Sequence, residues 1–301
     1  MGRDVYEASE PARRVYGAAD ERLGFSLSRL CFEGPAEDLV PTEIQQPAIL
    51  ATSIALYRCL CERVPDLAPD FVAGHSLGEY SALVAAGSLD LEAAVPLVHA
   101  RGRFMQQAVP AGSGAMAAVL GSSPEEVTGA CREAARQTGE VVEPANYNSP
   151  QQTVIAGTAA AVELACERAS ALGAKRTVPL PVSAPFHCPL MAPAAEQLAV
   201  ELKSVPFRDP VPPLVTNVEA LLNDSGARVP ALLERQVTAP VRFTEMIEKL
   251  TQLGVDRFLE VGPGRVLSGL VARIQRRSSR ASFGSLSDLE DVRAFLAGDG
   301  V

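Results

Sequence analysis

No stretch of the sequence approaches the roughly 18 uninterrupted apolar residues that a membrane helix needs, and Met1 to Arg14 is polar and mixed in charge rather than a basic segment followed by an apolar one. Neither a membrane span nor a signal peptide is expected. Met1-Gly2 does not open a myristoylation motif, because Tyr6 stands where Ser or Thr is required. Cys31, Cys59, Cys61, Cys131, Cys166 and Cys188 are scattered, none in Cys-x-x-Cys spacing, and read as reduced thiols of a cytoplasmic protein. Basic residues are in deficit, 27 against 36 acidic ones for a formal charge of −9. General binding to nucleic acid or to an anionic membrane needs a basic surface that displaces counterions, so neither is expected. The sequence also lacks a glycine-rich phosphate loop with its lysine, clustered acidic metal ligands and internal repeats. Nucleotide hydrolysis and metal catalysis therefore lose support, and no cofactor is expected.

What is present is an ordinary globular composition, 47% hydrophobic and 21% charged over 301 residues, enough for a large domain carrying an insertion. Residues 47–64 predict a helix, 71–73 a short buried strand ending at a glycine, and 77–86 a second helix closed by Gly87. A third helix is expected to start after Asp90 as N-cap and to run past Arg101, irregular at Pro96. Residues 113–183 then carry the order strand, helix, strand, strand, helix, strand, which is the ferredoxin-like plan. On either side, at 1–112 and 184–301, the pattern is that of a parallel α/β sheet, with later strands at 214–217 and 257–261 and helices at 243–253 and 265–273. The tail after Arg276, rich in Ser and Arg, is expected to be loosely held up to a last short helix.

The strongest chemical signal is Gly74-His75-Ser76-Leu77-Gly78 between a predicted strand and a predicted helix, the pattern of a nucleophile elbow. Side chains two positions either side of Ser76 are expected to collide in so sharp a turn, hence the glycines. The Leu77 N–H, at the helix start, could stabilise an oxyanion. A second reading stands beside this one: Ser76 with Glu79 three residues on is also a capping box. A nucleophilic serine needs a base, and the chain has three histidines. His75 adjoins the serine and should point away, and His99 lies in a helical pattern. His187, in the loop Ser183-Ala184-Pro185-Phe186-His187, can project toward a cleft. For an anionic substrate the candidate is Arg101, whose paired donors match a carboxylate, with Arg103 as competitor.

These segments resemble the malonyl-CoA:acyl carrier protein transacylases of type II fatty acid synthesis and the acyltransferase domains of polyketide synthases. The resemblance rests on residues 74–80, Arg101-Gly102-Arg103-Phe104-Met105-Gln106, residues 114–118, Asn146-Tyr147-Asn148-Ser149-Pro150, Pro185-Phe186-His187 and Glu260-Val261-Gly262-Pro263-Gly264. It implies an α/β fold, with a hydrolase-like parallel-sheet subdomain, an inserted ferredoxin-like small subdomain and a cleft between them. It implies Ser76 as acylated nucleophile, His187 as base, Arg101 as ligand of the malonyl carboxylate, and the main-chain carbonyl of Gln236 as the group that orients the histidine. Phe186, Met105 and Asn146 are expected at the substrate. Phe186, narrowing the space beside the α-carbon, predicts weak use of methylmalonyl-CoA. The implied partners are malonyl-CoA and an acidic acyl carrier protein, for which Lys175, Arg176, Arg273, Arg276 and Arg277 are candidate docking residues, and a monomer is expected. Family members begin with an apolar strand and a Gly-Gln-Gly-Ser-Gln loop, whereas this chain begins just after that point at Met1-Gly2-Arg3-Asp4. Either Met1 is a misplaced start or a truncation, or the protein works without the oxyanion donor that this loop supplies in the family, and the first is the expectation. A thioesterase sharing the elbow and histidine, and a catalytically impaired carrier-binding protein, are the alternatives.

Overall fold

Helices dominate the first third of the chain. A computed structural model describes residues 1–110, 112–182 and 184–298. It opens with α1 (Arg3–Ala8), α2 (Glu10–Leu23), α3 (Leu27–Glu33) and α4 (Thr42–Arg63). Apolar residues occur all round α4 rather than in one stripe, and it is buried on nearly all sides. It begins a turn before the predicted start at Pro47, because α6 (Leu91–Gln107) supports that extra turn from outside. A Cβ on Gly102 of α6 would lie 2.6 Å from both Glu43 Cα and Thr42 O, so the two helices meet backbone to backbone there. Between α4 and α6 come β1 (Val72–Ala73) and α5 (Leu77–Ala85), matching the expected strand, turn and helix. Asp90 occupies the cap position of α6 in extended conformation but makes no capping bond, since its carboxylate faces the Arg208 guanidinium instead. Pro96 is accommodated inside the helix.

The next segment contains β2 (Gly114–Leu120), α7 (Pro124–Thr138), β3 (Val142–Ser149), β4 (Gln152–Thr158), α8 (Ala159–Ala171) and β5 (Arg176–Pro179). Its strands form one antiparallel sheet in the order β3-β4-β2-β5. Alternation along β2 sends Ala117 and Val119 toward α7 and α8, and Met116 and Ala118 toward Cys188 and Phe186. One face of this sheet therefore rests on its own helices and the other on the loop that carries His187. The approach is close: a Cβ on Gly114 would meet the Pro185 ring at 2.4 Å.

The chain continues through α9 (Ala192–Leu202), β6 (Leu214–Val215), β7 (Leu222–Asn223), α10 (Val229–Thr238), α11 (Phe243–Gln252), β8 (Arg257–Val261), α12 (Val266–Ile274), β9 (Ser279–Phe283) and α13 (Leu289–Ala297). The parallel pairs are β1 with β6 and β8 with β9, while β7 runs antiparallel to β6, so the strands outside the small sheet form two short pieces. The tail after Arg276 differs from expectation. Residues 279–283 pair in register with 257–261, because backbone ladders need no apolar side chains, and Phe283 with Ala281 seats β9 against the core. Ser183, one end of the expected boundary and of the histidine loop, lies outside the described residues.

Candidate active site

Ser76 sits between β1 and α5 with φ 51° and ψ −106°, a conformation that a side chain adopts only under strain of about 1–3 kcal/mol. Of the two readings of the motif, the structure realises the elbow. The Ser76 side chain makes no capping bond, and Glu79 turns inward instead of back to the helix start. The two glycines are not equivalent, contrary to the expectation that both are required sterically. A Cβ on Gly74 would lie 2.0 Å from the Gly78 carbonyl oxygen, whereas one on Gly78 would meet nothing within 4 Å. The turn is tight on one side only, where the Cα of residue 74 faces the first turn of α5. Gly74→Ala is accordingly expected to lose about 1–3 kcal/mol of stability or more and to stop covalent labelling of Ser76, while Gly78→Ala keeps both. Thermal melts with an active-site phosphonylating reagent distinguish the two.

The tautomer of His187 follows from donor and acceptor chemistry. His187 Nδ1 lies 2.7 Å from the main-chain oxygen of Gln236, which can only accept, so Nδ1 carries the proton and Nε2 presents a lone pair. Nε2 is 2.8 Å from Ser76 Oγ, whose hydroxyl donates to it. Burial, reinforced by the Arg101 charge, pushes His187 down to about 3, so the ring is neutral at physiological pH. Of the other histidines, His75 faces away toward Asn148 Oδ1 at 2.8 Å, and His99 is half-buried near Phe25.

Arg101 completes the group. It is only 2% exposed, placed on α6 directly before the Gly102 contact. Nη1 donates to Gln46 Oε1 at 2.6 Å, and Nη2 to Gln236 Oε1 at 2.7 Å and to Ser76 Oγ at 3.0 Å. All three acceptors are neutral. A buried cation whose hydrogen bonds go to neutral amide and hydroxyl oxygens, with the Tyr80 ring 5.3 Å from its Cζ, is a strong attractor for an anion arriving at Ser76. Arg103, the competitor, is exposed and lies over Phe104. The result is a serine touched by a neutral imidazole on one side and a guanidinium on the other.

The whole-chain comparison agrees in extent with this site: a family model described as acyl transferase domain matches residues 1–294. The chain belongs to the acyl transferase domain family. Among curated relatives, the malonyl CoA-acyl carrier protein transacylase of Haemophilus influenzae is 48% identical over 282 residues, covering 94% of this chain and 90% of that protein. The protein of the same name from Bacillus subtilis is 49% identical over 277 residues, covering 92% and 86%. Among solved structures, an acyl carrier protein S-malonyltransferase from Vibrio cholerae superposes with TM-score 0.94 at 44% identity, covering 97% of this chain and 94% of that one. A malonyl-transacylase in complex with its type II PKS acyl-carrier protein gives 0.93 at 44% identity, covering 99% and 94%.

Within this acyl transferase domain the remaining expected residues fall in different places. The Leu77 N–H begins α5 beside Ser76 and has no acceptor among the described residues. Phe186 packs between the main core and the small sheet, next to His187 in the chain. Met105 is buried one turn beyond Arg101 and touches the Gln46 amide through sulfur. Asn146 is buried in β3, bridged to Val241, while its neighbour Asn148 is the residue that reaches the elbow. Of the basic candidates, Lys175 and Arg176 are exposed at the end of the sheet where Leu120 pairs with both Arg176 and Gln152. Arg273 reaches the same end through Gln152 Oε1. Among the described residues no helix is long and apolar enough to cross a membrane, and no cluster of His, Cys, Asp or Glu could hold a metal.

Four contributions escaped the sequence reading. Gln46 braces Arg101, and the Gln236 side chain braces it from the other side. Asn217 clamps the elbow, accepting from the Ser76 N–H at 2.7 Å and donating to the Gly74 carbonyl at 2.7 Å. Glu79 lies beneath them all. Only Glu79 had a signal available, its place inside the elbow motif, and there the capping-box spacing offered a simpler explanation.

Proposed function

We propose that this chain moves a malonyl group from malonyl-CoA to the phosphopantetheine thiol of an acyl carrier protein through an ester on Ser76. The observation that carries the reading is the position of Ser76 Oγ, 2.8 Å from the base His187 Nε2 and 3.0 Å from Arg101 Nη2. Ser76 Oγ attacks the thioester carbonyl as its proton passes to Nε2, the Leu77 N–H bonds the developing oxyanion, the carbon–sulfur bond breaks, and the proton leaves with coenzyme A. The carrier thiol then gives its proton to Nε2, attacks the same carbonyl and returns Ser76 to its hydroxyl form. The Gln236 carbonyl keeps the ring in the required tautomer in place of a carboxylate. The Arg101 fork receives the free carboxylate of malonyl, which selects this acyl group over neutral ones. In this reading residues 1–112 and 184–301 form a hydrolase-like subdomain, residues 113–183 a ferredoxin-like one, and Lys175, Arg176 and Arg273 offer the acidic carrier a basic landing.

Intact mass of the protein after brief incubation with malonyl-CoA, followed by phosphopantetheinylated carrier protein, tests this. A malonyl adduct that is absent in Ser76→Ala and moves to the carrier is the expected result. An adduct that decays to free malonate makes the protein a thioesterase, and no adduct at all leaves a carrier-binding role.

A further inference from the structure

Glu79 is a carboxylate 1% exposed, placed one turn into α5 behind the nucleophile, and the transfer mechanism makes no use of it. Its two oxygens each take one donor: Oε2 accepts from Gln236 Nε2 at 2.5 Å and Oε1 from the Asn217 N–H at 3.3 Å. The Gln236 amide is fully buried and its two ends are chemically distinct. Its NH2 group serves Glu79 and the Ser76 carbonyl, the latter at 3.1 Å, which leaves Oε1 facing Arg101. Turned the other way, the amide would set NH2 against the guanidinium and oxygen against both the carboxylate and the Ser76 carbonyl. Glu79, with the Ser76 carbonyl beside it, thus faces the donor end of Gln236, and Arg101 meets the acceptor end.

We propose that Glu79 is the positioning residue for the anion-binding arginine: by accepting from Gln236 it turns that amide's oxygen to Arg101 and holds the guanidinium in place beside Ser76. This rests on the reading in which Arg101 receives the malonyl carboxylate. A carboxylate is required rather than an amide, because two donors converge on it, and a glutamine would supply one acceptor and one further donor. The groups facing Glu79 are Arg101 from α6, Gln236 from α10 and Asn217 after β6, with Tyr80 adjacent on α5. Burial pushes the Glu79 carboxyl up to about 7, partly opposed by hydrogen bonds from Gln236 and Asn217 and by the Arg101 charge. The sign is therefore definite: above about 7 both oxygens accept, and below it a proton occupies one of them and the brace loosens. His187, held far lower, does not titrate in that interval.

The test is single-turnover acylation of the full chain by malonyl-CoA, read as the Ser76 adduct by intact mass, run beside phosphorylation of Ser76 by diisopropyl phosphorofluoridate, a neutral reagent that needs the dyad but offers Arg101 no carboxylate. In Glu79→Gln the half-saturating malonyl-CoA concentration should rise roughly tenfold to a hundredfold, as for loss of a hydrogen bond to a charged group, with phosphorylation changed less than about threefold. Glu79→Asp, which keeps both acceptors, should fall between Glu79→Gln and the unaltered protein. In the unaltered protein half-saturation should rise as pH drops from about 8 to about 5.5, with phosphorylation flat. Parallel loss of both reactions in Glu79→Gln, or no change in either, overturns the proposal. Should that variant not fold, a malonyl-CoA half-saturation independent of pH overturns it. If the unaltered protein is phosphorylated but takes no malonyl group, the transacylase reading itself falls, an outcome distinct from these.

Discussion

His187→Ala is expected to lower malonyl transfer by about 10⁴-fold or more, and adding Ser76→Ala to it to cost little further, because nucleophile and base act as one unit. The geometry explains the size of the effect. Among the described residues Ser76 Oγ has one proton acceptor in reach, Nε2 at 2.8 Å, and that nitrogen is free to accept only because Nδ1 is committed to the Gln236 carbonyl at 2.7 Å. Without the ring the hydroxyl keeps its proton, because the guanidinium donor on its other side can only donate and cannot take it. The measurement is kcat/KM for transfer to the carrier in both single variants and the double variant. Strict multiplication of the two single losses would mean that Ser76 and His187 do not share a step.

The second large effect is at Arg101. Removing one partner of a buried, hydrogen-bonded charge pair costs about 2–5 kcal/mol, so Arg101→Ala should lower kcat/KM for malonyl-CoA by roughly 30-fold to 4,000-fold, and turnover of acetyl-CoA far less. Arg101→Lys should recover little, since an ammonium cannot span Gln46, Gln236 and a substrate carboxylate as the planar fork does. The Arg101 charge is one cause of the lowered His187 basicity, and a bound malonyl carboxylate cancels that charge, so the correct substrate strengthens its own base. A neutral acyl group brings no such correction. The ratio of malonyl to acetyl turnover in the two variants is the decisive readout, and equal losses with both thioesters would remove Arg101 from substrate selection.

The legible parts of this protein were those whose physics is local. The elbow was readable because a strand, a tight turn and a helix occupy one short segment, and the small sheet because period-2 and period-3.6 patterns alternate within residues 113–183. Even there sequence reasoning overreached at Gly78, since which side of a turn is crowded depends on how α5 rises from it. It fell short at residues 279–283, whose side chains are mostly polar but whose backbone finds the edge of β8. The first turn of α4 was likewise hidden, because Thr42 to Gln46 becomes helical against the backbone of α6 at Gly102.

By itself the sequence determined the alternation of strands and helices, the strained serine and a short choice of bases and cations, all consequences of residue type and spacing along a few turns. Tertiary structure decided everything that depends on distant segments meeting. His187 comes to Ser76 across 111 residues, Asn217 across 141 and the Gln236 amide across 160. No periodicity encodes those encounters. They arise because the small sheet presses on the histidine loop, α6 lies against α4, and α10 sets one glutamine where its backbone orients the base while its side chain, held by Glu79, steadies the arginine.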